Sequence, residues 1–263
     1  MLANDERILH NNLIEAIKNG NSKIVKDLLE DKKVDPSANN NEAIKVVADI
    51  GFEEIMKPFR LTGKIDLSAY DNCSIKKAFE REQIRIIKLL LADKIVNPTA
   101  NNNKLIKMVS IKGYTEILEI LLADSRVDSA AVNNGILIIA SIRGHIEVVR
   151  LLLADSRVNP AAKYNEAVKR ASEYGHIEIV RLLLTDSRVN NSALDKCTAI
   201  TYASEYGHIE IVRLLLTDLK TNLDFYNQAI KMASDKGHTE IVELLLEDKK
   251  VKYQVSQLSM VPK

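Results

Sequence analysis

One helical segment recurs eight times along the chain, each time directly after a turn residue. The clearest copies run from Gly144-His145 to Leu153, Gly175-His176 to Leu184, Gly207-His208 to Leu216 and Gly237-His238 to Leu246; weaker ones start at Gly20, Gly51, Glu82 and Gly113. Successive starts are spaced 31 residues apart five times, then 32 and 30. A period this regular predicts a solenoid, in which each unit buries its apolar face on its neighbours rather than in a central core. The repeat covers almost the whole sequence, so the expectation is one elongated domain over 1–250 and a tail over 251–263.

The unit can be built residue by residue. Asn165 stands ten residues before Gly175, and the same slot holds Asn41, Asn72, Asn103, Asn134 and Asn227, with His10 and Cys197 as exceptions. An asparagine side chain accepts an orphan backbone N–H, so this slot reads as the N-cap of a first helix, A. Val168 and Ala171 form its inward stripe, matched by Ile44/Val47, Ile75/Ala78, Ile106/Val109, Leu137/Ala140, Ile200/Ala203 and Ile230/Ala233. That is one helical face, and its small second member allows the next unit to approach. The glycine ends helix A. Helix B follows, with Ile179, Val180, Leu183 and Leu184 as its buried stripe and Glu178 and Arg181 facing solvent as a pair. A connector such as Asp186-Ser187-Arg188-Val189-Asn190 leads to the next helix A, and Pro36, Pro98 and Pro160 forbid helix there. Pro58 lies within the second helix B and predicts a short or bent helix with irregular Leu61-Thr62-Gly63 after it.

These features resemble the ankyrin repeat. The family's Gly-His-Leu-Glu-Val-Val-Lys-Leu-Leu-Leu stretch is matched almost residue for residue at 144–153, 175–184 and 207–216, and its Ala-Asp-Val-Asn connector has a counterpart in Ser-Arg-Val-Asn at 156–159 and 187–190. The family's Thr-Pro-Leu-His is replaced by Glu-Ala-Val-Lys at 166–169 or Gln-Ala-Ile-Lys at 228–231. The unit is also about two residues short of the usual 33. Short, Asn-capped units with these connectors look like the ankyrin arrays of large DNA viruses of amoebae. The resemblance implies an all-α helix-turn-helix solenoid of about eight units with stubby finger loops. Its function would be a non-catalytic scaffold or adaptor that binds a protein partner on the concave face of helices A and fingers. The competing reading is an array with a structural role only and no specific partner.

Composition and motifs narrow the alternatives. Lys+Arg number 37 and Asp+Glu 36, so the chain projects no strong field and neither nucleic acid nor anionic membrane is an expected partner. No apolar run is long enough to span a bilayer, and the charged N-terminus shows no secretory signal. Cys73 and Cys197 lie four units apart, about 30–40 Å at the usual helix spacing, which predicts free thiols and a reducing, cytoplasmic location (host cytoplasm if the source is viral). His-x-Glu occurs at 145/147, 176/178, 208/210 and 238/240, but no Pro-Cys-x-x-Cys accompanies it, and Asn21, Phe52, Gln83 and Tyr114 fill the histidine slot elsewhere. The histidines read as helix-start residues. No catalytic, cofactor, metal or small-molecule site is expected, and the chain is expected to be a monomer. A column of Asp31, Asp93, Asp124, Asp155, Asp186, Asp218 and Asp248 and, two residues on, one of Lys33, Arg126, Arg157, Arg188, Lys220 and Lys250 read as surface ion pairs rather than a basic track.

Helix A exposes the positions six, five and two before the turn glycine. Most units place charge there, but the fourth and fifth carry Met108, Ile111, Ile138, Ile139 and Ile142. Exposed contiguous apolar surface marks interfaces. Tyr164, Tyr174, Tyr202, Tyr206, Phe225 and Tyr226 add aromatics on helix A or just before it. These eleven residues are the candidate partner-binding set; for Ile138, Ile139 and Tyr202 the alternative is packing between neighbouring helices A.

Overall fold

The computed structural model describes residues 4–61, 73–92, 98–127, 135–189, 193–217 and 223–259. Among them are sixteen α-helices. The A helices are α1 (Asn4–Lys18), α3 (Ala38–Ile50), α5 (Cys73–Glu80), α7 (Ala100–Lys112), α9 (Gly135–Arg143), α11 (Ala162–Glu173), α13 (Ala193–Glu205) and α15 (Leu223–Asp235). The B helices are α2 (Ser22–Glu30), α4 (Glu53–Leu61), α6 (Ile84–Ala92), α8 (Thr115–Ala123), α10 (Ile146–Ala154), α12 (Ile177–Thr185), α14 (Ile209–Leu216) and α16 (Thr239–Ser259). No strand occurs among the described residues.

The chain forms two compact units, one of residues 1–106 and 116–127, the other of 107–115 and 128–263. In the first, α1 packs on α2 and α3, α3 on α4 and α5, and α2, α4 and α6 form a second row. In the second, α9, α11, α13 and α15 stand in one row and α10, α12, α14 and α16 in the other. Within each unit these helices touch their hairpin mates and their sequence-equivalent neighbours, which is the nearest-neighbour packing that the period predicts.

The core is the repeated stripe. Val168 and Ala171 of α11, Leu137 and Ala140 of α9, and Ile200 and Ala203 of α13 are buried. Ser141 and Ser172 follow the alanines and are fully buried, each Oγ–H donating 2.8 Å to the carbonyl four residues earlier, Leu137 and Val168. Small residues there leave no bulk between adjacent helices A. In α12, Ile179, Val180 and Leu183 are buried while Leu184 is only half-buried. Arg181 pairs with Glu178 at 3.8 Å on the solvent side, a contact worth about 0.2–0.5 kcal/mol.

Two local expectations are corrected. First, the asparagine slot is not a side-chain N-cap. Asn41, Asn103 and Asn165 have φ of +58°, +56° and +57°, and all three are buried. In α3 and α11 they close a left-handed turn, Asn39–Asn41 and Lys163–Asn165, before the right-handed helix resumes. Their backbone N–H groups donate to Ser37, Thr99 and Ala161 carbonyls at 2.9, 3.0 and 3.1 Å. Asparagine suits the slot because it tolerates left-handed φ better than other side chains. Asn72 and Asn134 lie outside the described residues. Second, α4 stays helical through Pro58 over the nine residues usual for helix B. Proline removes the N–H that would meet the Glu54 carbonyl, while Ile55, Met56 and Phe59 anchor the helix in the core. Thr62 and Gly63 lie outside the described residues. α16 runs as helix through Val251 to Ser259.

Cys197 is a buried free thiol, and burial raises its pKa. The Cys73 side chain lies outside the described residues.

Candidate functional site

Two devices in the second unit register each repeat on the one before it. The first joins the turn glycine to the next histidine. Gly113, Gly144, Gly175 and Gly207 adopt φ between +75° and +80°. A β-carbon at any of them would lie only 2.6–2.7 Å from the ring of His145, His176, His208 or His238 respectively. Each ring thus lies flat over the preceding turn. Its Nε2 donates to a carbonyl beside that turn: Ile111, Ile142 and Glu173 at 2.9 Å, and Glu205 at 3.1 Å. A carbonyl only accepts, so Nε2 carries the proton. The sequence showed the recurring Gly-His pair and placed it at a helix start; the bond to the neighbouring unit was not visible there.

The second device is the finger. Asp186 Oδ1 accepts the Arg188 backbone N–H at 2.9 Å, and the Arg188 guanidinium returns to the same carboxylate. The guanidinium also donates to the Leu153 carbonyl at 2.5 Å and the Val158 carbonyl at 3.1 Å in the preceding repeat. The hydrogen bond from Arg188 is the main reason the Asp186 pKa is lowered. Asp155 with Arg157, and Asp124 with Arg126 in the first unit, repeat the turn and the ion pair. Arg126, Arg157 and Arg188 are each paired with the aspartate two residues before them, while the Lys220 and Lys250 side chains lie outside the described residues.

The four histidines and the finger arginines are therefore structural. No group of three or more His, Cys, Asp or Glu side chains is placed to hold a metal ion among the described residues. No helix among them is long and apolar enough to cross a membrane.

The candidate interaction residues divide by exposure. Tyr164 is 83% exposed, Tyr174 and Tyr206 are each 51% exposed and Ile111 is 38% exposed. Met108, Ile138, Ile139, Ile142 and Tyr202 are half-buried. Ile111 and Ile142 in addition supply the carbonyls that receive His145 and His176. Tyr226 is a correction. It is fully buried and its hydroxyl donates to Asp248 of α16, so it anchors the last hairpin and presents nothing to a partner. Burial first, then that hydrogen bond, raises the phenol's pKa. The Phe225 side chain lies outside the described residues.

A charged cluster lies beside Tyr202 of α13. Arg170 donates to Glu166 at 2.8 Å and to Glu173 at 2.5 Å, and its guanidinium sits 6.0 Å from the Tyr202 ring centroid. The hydrogen bond to Glu173 is the largest influence holding that guanidinium protonated. Glu173 and then Glu205 push the Tyr206 phenol above its ordinary range, with Tyr174 and Tyr202 adding to the effect. Exposed aromatic rings, half-buried isoleucines and fixed carboxylates suit binding to a macromolecular surface.

A family model of ankyrin repeats in three copies matches residues 75–166, 105–193 and 169–256, which together span well over half of the sequence. No curated protein matches the chain. The family's repeats are generic protein–protein interaction modules and are typically non-catalytic. With its helical hairpins, left-handed glycine turns and interlocking repeats, this all-α helical-repeat solenoid belongs to the ankyrin-repeat family.

Proposed function

We propose that the protein is a non-catalytic scaffold or adaptor that binds a partner protein on the concave face made by helices A and the finger loops of its later repeats. One observation carries this reading. Of the large apolar side chains exposed among the described residues of the second unit, Ile111, Tyr164, Tyr174 and Tyr206 all belong to helices A or their termini, and only Leu246 does not. Scattered exposed apolar residues need no explanation, but a set confined to one helix row does. Tyrosine gives large contact area at low entropic cost, which suits hot spots.

In this reading residues 1–250 act as a single array, the protein is a monomer, and its location is cytoplasmic, or the host cytoplasm if it derives from a virus of amoebae as the short unit suggests. A near-neutral charge balance supports a protein rather than a nucleic acid as partner. The test is affinity purification from the native cell with the wild type and with Ile111→Asp combined with Tyr174→Ala. A single stoichiometric protein that is lost with the double variant, at unchanged helicity and melting, is the expected outcome. No stoichiometric protein, or one retained by the variant, refutes the reading.

A further inference from the structure

We infer that the protein stacks end to end on itself: the first repeat of one copy seats on the last repeat of a second copy, in the same joint that links successive repeats within the chain. This goes beyond the interaction role proposed above and uses neither its concave face nor its partner. Equivalent slots differ at the two ends of the array. Ile24 of α2, four residues after its turn glycine, is 46% exposed, yet its seven equivalents, from Ile55 to Ile241, are at most 2% exposed. The first repeat has no hairpin before it, so this slot is the one that the preceding repeat covers.

The last repeat shows the other half. Val242 of α16, in the next slot along, is half-buried, whereas its seven equivalents, from Val25 to Val212, are at most 1% exposed. Ile230 of α15 is half-buried, and its seven equivalents, from Leu13 to Ile200, are all buried. Leu246 is exposed where Leu216 is buried. These slots are covered by the following repeat. Apolar side chains that the internal joints bury are therefore open at both ends, and the two ends are opposite halves of one joint. Each half fits the other and not itself, which is a heterologous, head-to-tail contact.

The turn tells the same story. Gly113, Gly144, Gly175 and Gly207 each lie under the histidine of the next repeat, but nothing described lies within 4 Å of a β-carbon on Gly237. The Asp235 carbonyl holds the position of Ile111, Ile142, Glu173 and Glu205, which receive those histidines. In the first repeat the histidine slot holds Asn21. Its Oδ1 accepts the Ile24 backbone N–H at 3.2 Å, and its Nδ2 can donate to such a carbonyl. An amide is already used this way in the first unit, where Gln83 lies over Gly51.

Two substitutions weaken this joint relative to the internal ones. Asn21 replaces histidine, and the exposed Asn12 stands where Ala43, Ala167, Ala199 and Ala229 are buried. The chain is therefore a monomer when dilute and assembles by mass action when concentrated.

The test is sedimentation velocity on the full chain. The average mass should rise between about 10 µM and 1 mM. Ile24→Asp and Leu246→Asp each spoil one half of the joint at an exposed position, so helicity and melting should hold, and each variant alone should stay monomeric. If either aspartate lowers melting, serine at the same position takes its place. An equimolar mixture of the two variants should form a 1:1 dimer and nothing larger, because one still offers Ile24 and the other still offers Leu246. That recovery also shows that both variants are folded. Ile111→Asp with Tyr174→Ala should assemble like the wild type, whatever becomes of the concave-face partner. A wild type that remains monomeric to about 1 mM, assembly by either single variant alone, a mixture that stays monomeric, or loss of assembly in the concave-face variant overturns the inference.

Discussion

Replacing Gly175 with alanine tests how the repeats are held in register. Gly175 has φ +78°, a conformation that costs an L-residue about 1–2 kcal/mol. The new β-carbon would also lie 2.6 Å from His208 Cε1 and 2.8 Å from Nδ1. The ring must swing away, and the 2.9 Å bond from Nε2 to the Glu173 carbonyl goes with it. That bond contributes about 0.5–1.5 kcal/mol net. The two effects together predict a loss of about 2–3 kcal/mol. Gly237 supplies the control. Its φ is +77°, but nothing lies within 4 Å of its would-be β-carbon. Gly237→Ala should therefore show the backbone cost alone, about 1–2 kcal/mol. A long repeat array need not unfold in one step, so the readout is amide hydrogen exchange in α12 and α14 alongside urea denaturation. Gly175→Ala should accelerate exchange on both helices. His208→Ala should cost about 1 kcal/mol and abolish most of the extra penalty of Gly175→Ala in a double-mutant cycle. Equal losses at Gly175 and Gly237, or additive losses for Gly175 and His208, would refute the claim that the ring over the glycine joins the repeats.

Three further outcomes follow from the same geometry. Tyr164 holds φ +58° while 83% exposed, so Tyr164→Gly should raise stability by about 1 kcal/mol in urea denaturation, whereas Tyr164→Ala should give no such gain. Asp186 has its pKa lowered by Arg188 from the ordinary value of 3.8. A depressed carboxylate pKa means that its stabilisation is complete above about pH 4 and is lost as pH falls through the lower folded value. Acid unfolding of Asp186→Asn should accordingly be flatter than that of the wild type below pH 4, and an identical acid limb would refute the assignment. Tyr226→Phe should cost about 1–3 kcal/mol through the lost bond to Asp248 and leave partner affinity unchanged, as measured by melting and by binding of the captured partner.

The period of 31, the apolar pairs such as Val168/Ala171 and the left-handed glycines were all legible in the sequence. They are local consequences of helix geometry, and eight noisy copies reinforce one another. Asn165 was misread because asparagine is favoured both as an N-cap and at left-handed φ; the residue type is the same, and only the backbone distinguishes them. The tyrosines show a similar limit. Tyr206 and Tyr226 look alike as letters on a helix A, but Tyr206 projects beside Glu173 and Glu205 while Tyr226 is buried and hydrogen-bonded to Asp248. Arg188 likewise read as half of a surface pair, whereas its guanidinium also reaches the Leu153 and Val158 carbonyls 35 and 30 residues earlier. By itself, then, the sequence determined the repeat, its helices and its buried stripe, because those depend on neighbours three or four residues away. The tertiary structure decided which aromatics are presented, which polar groups interlock and where the exposed face lies, because each depends on what the adjacent repeat places within hydrogen-bonding reach.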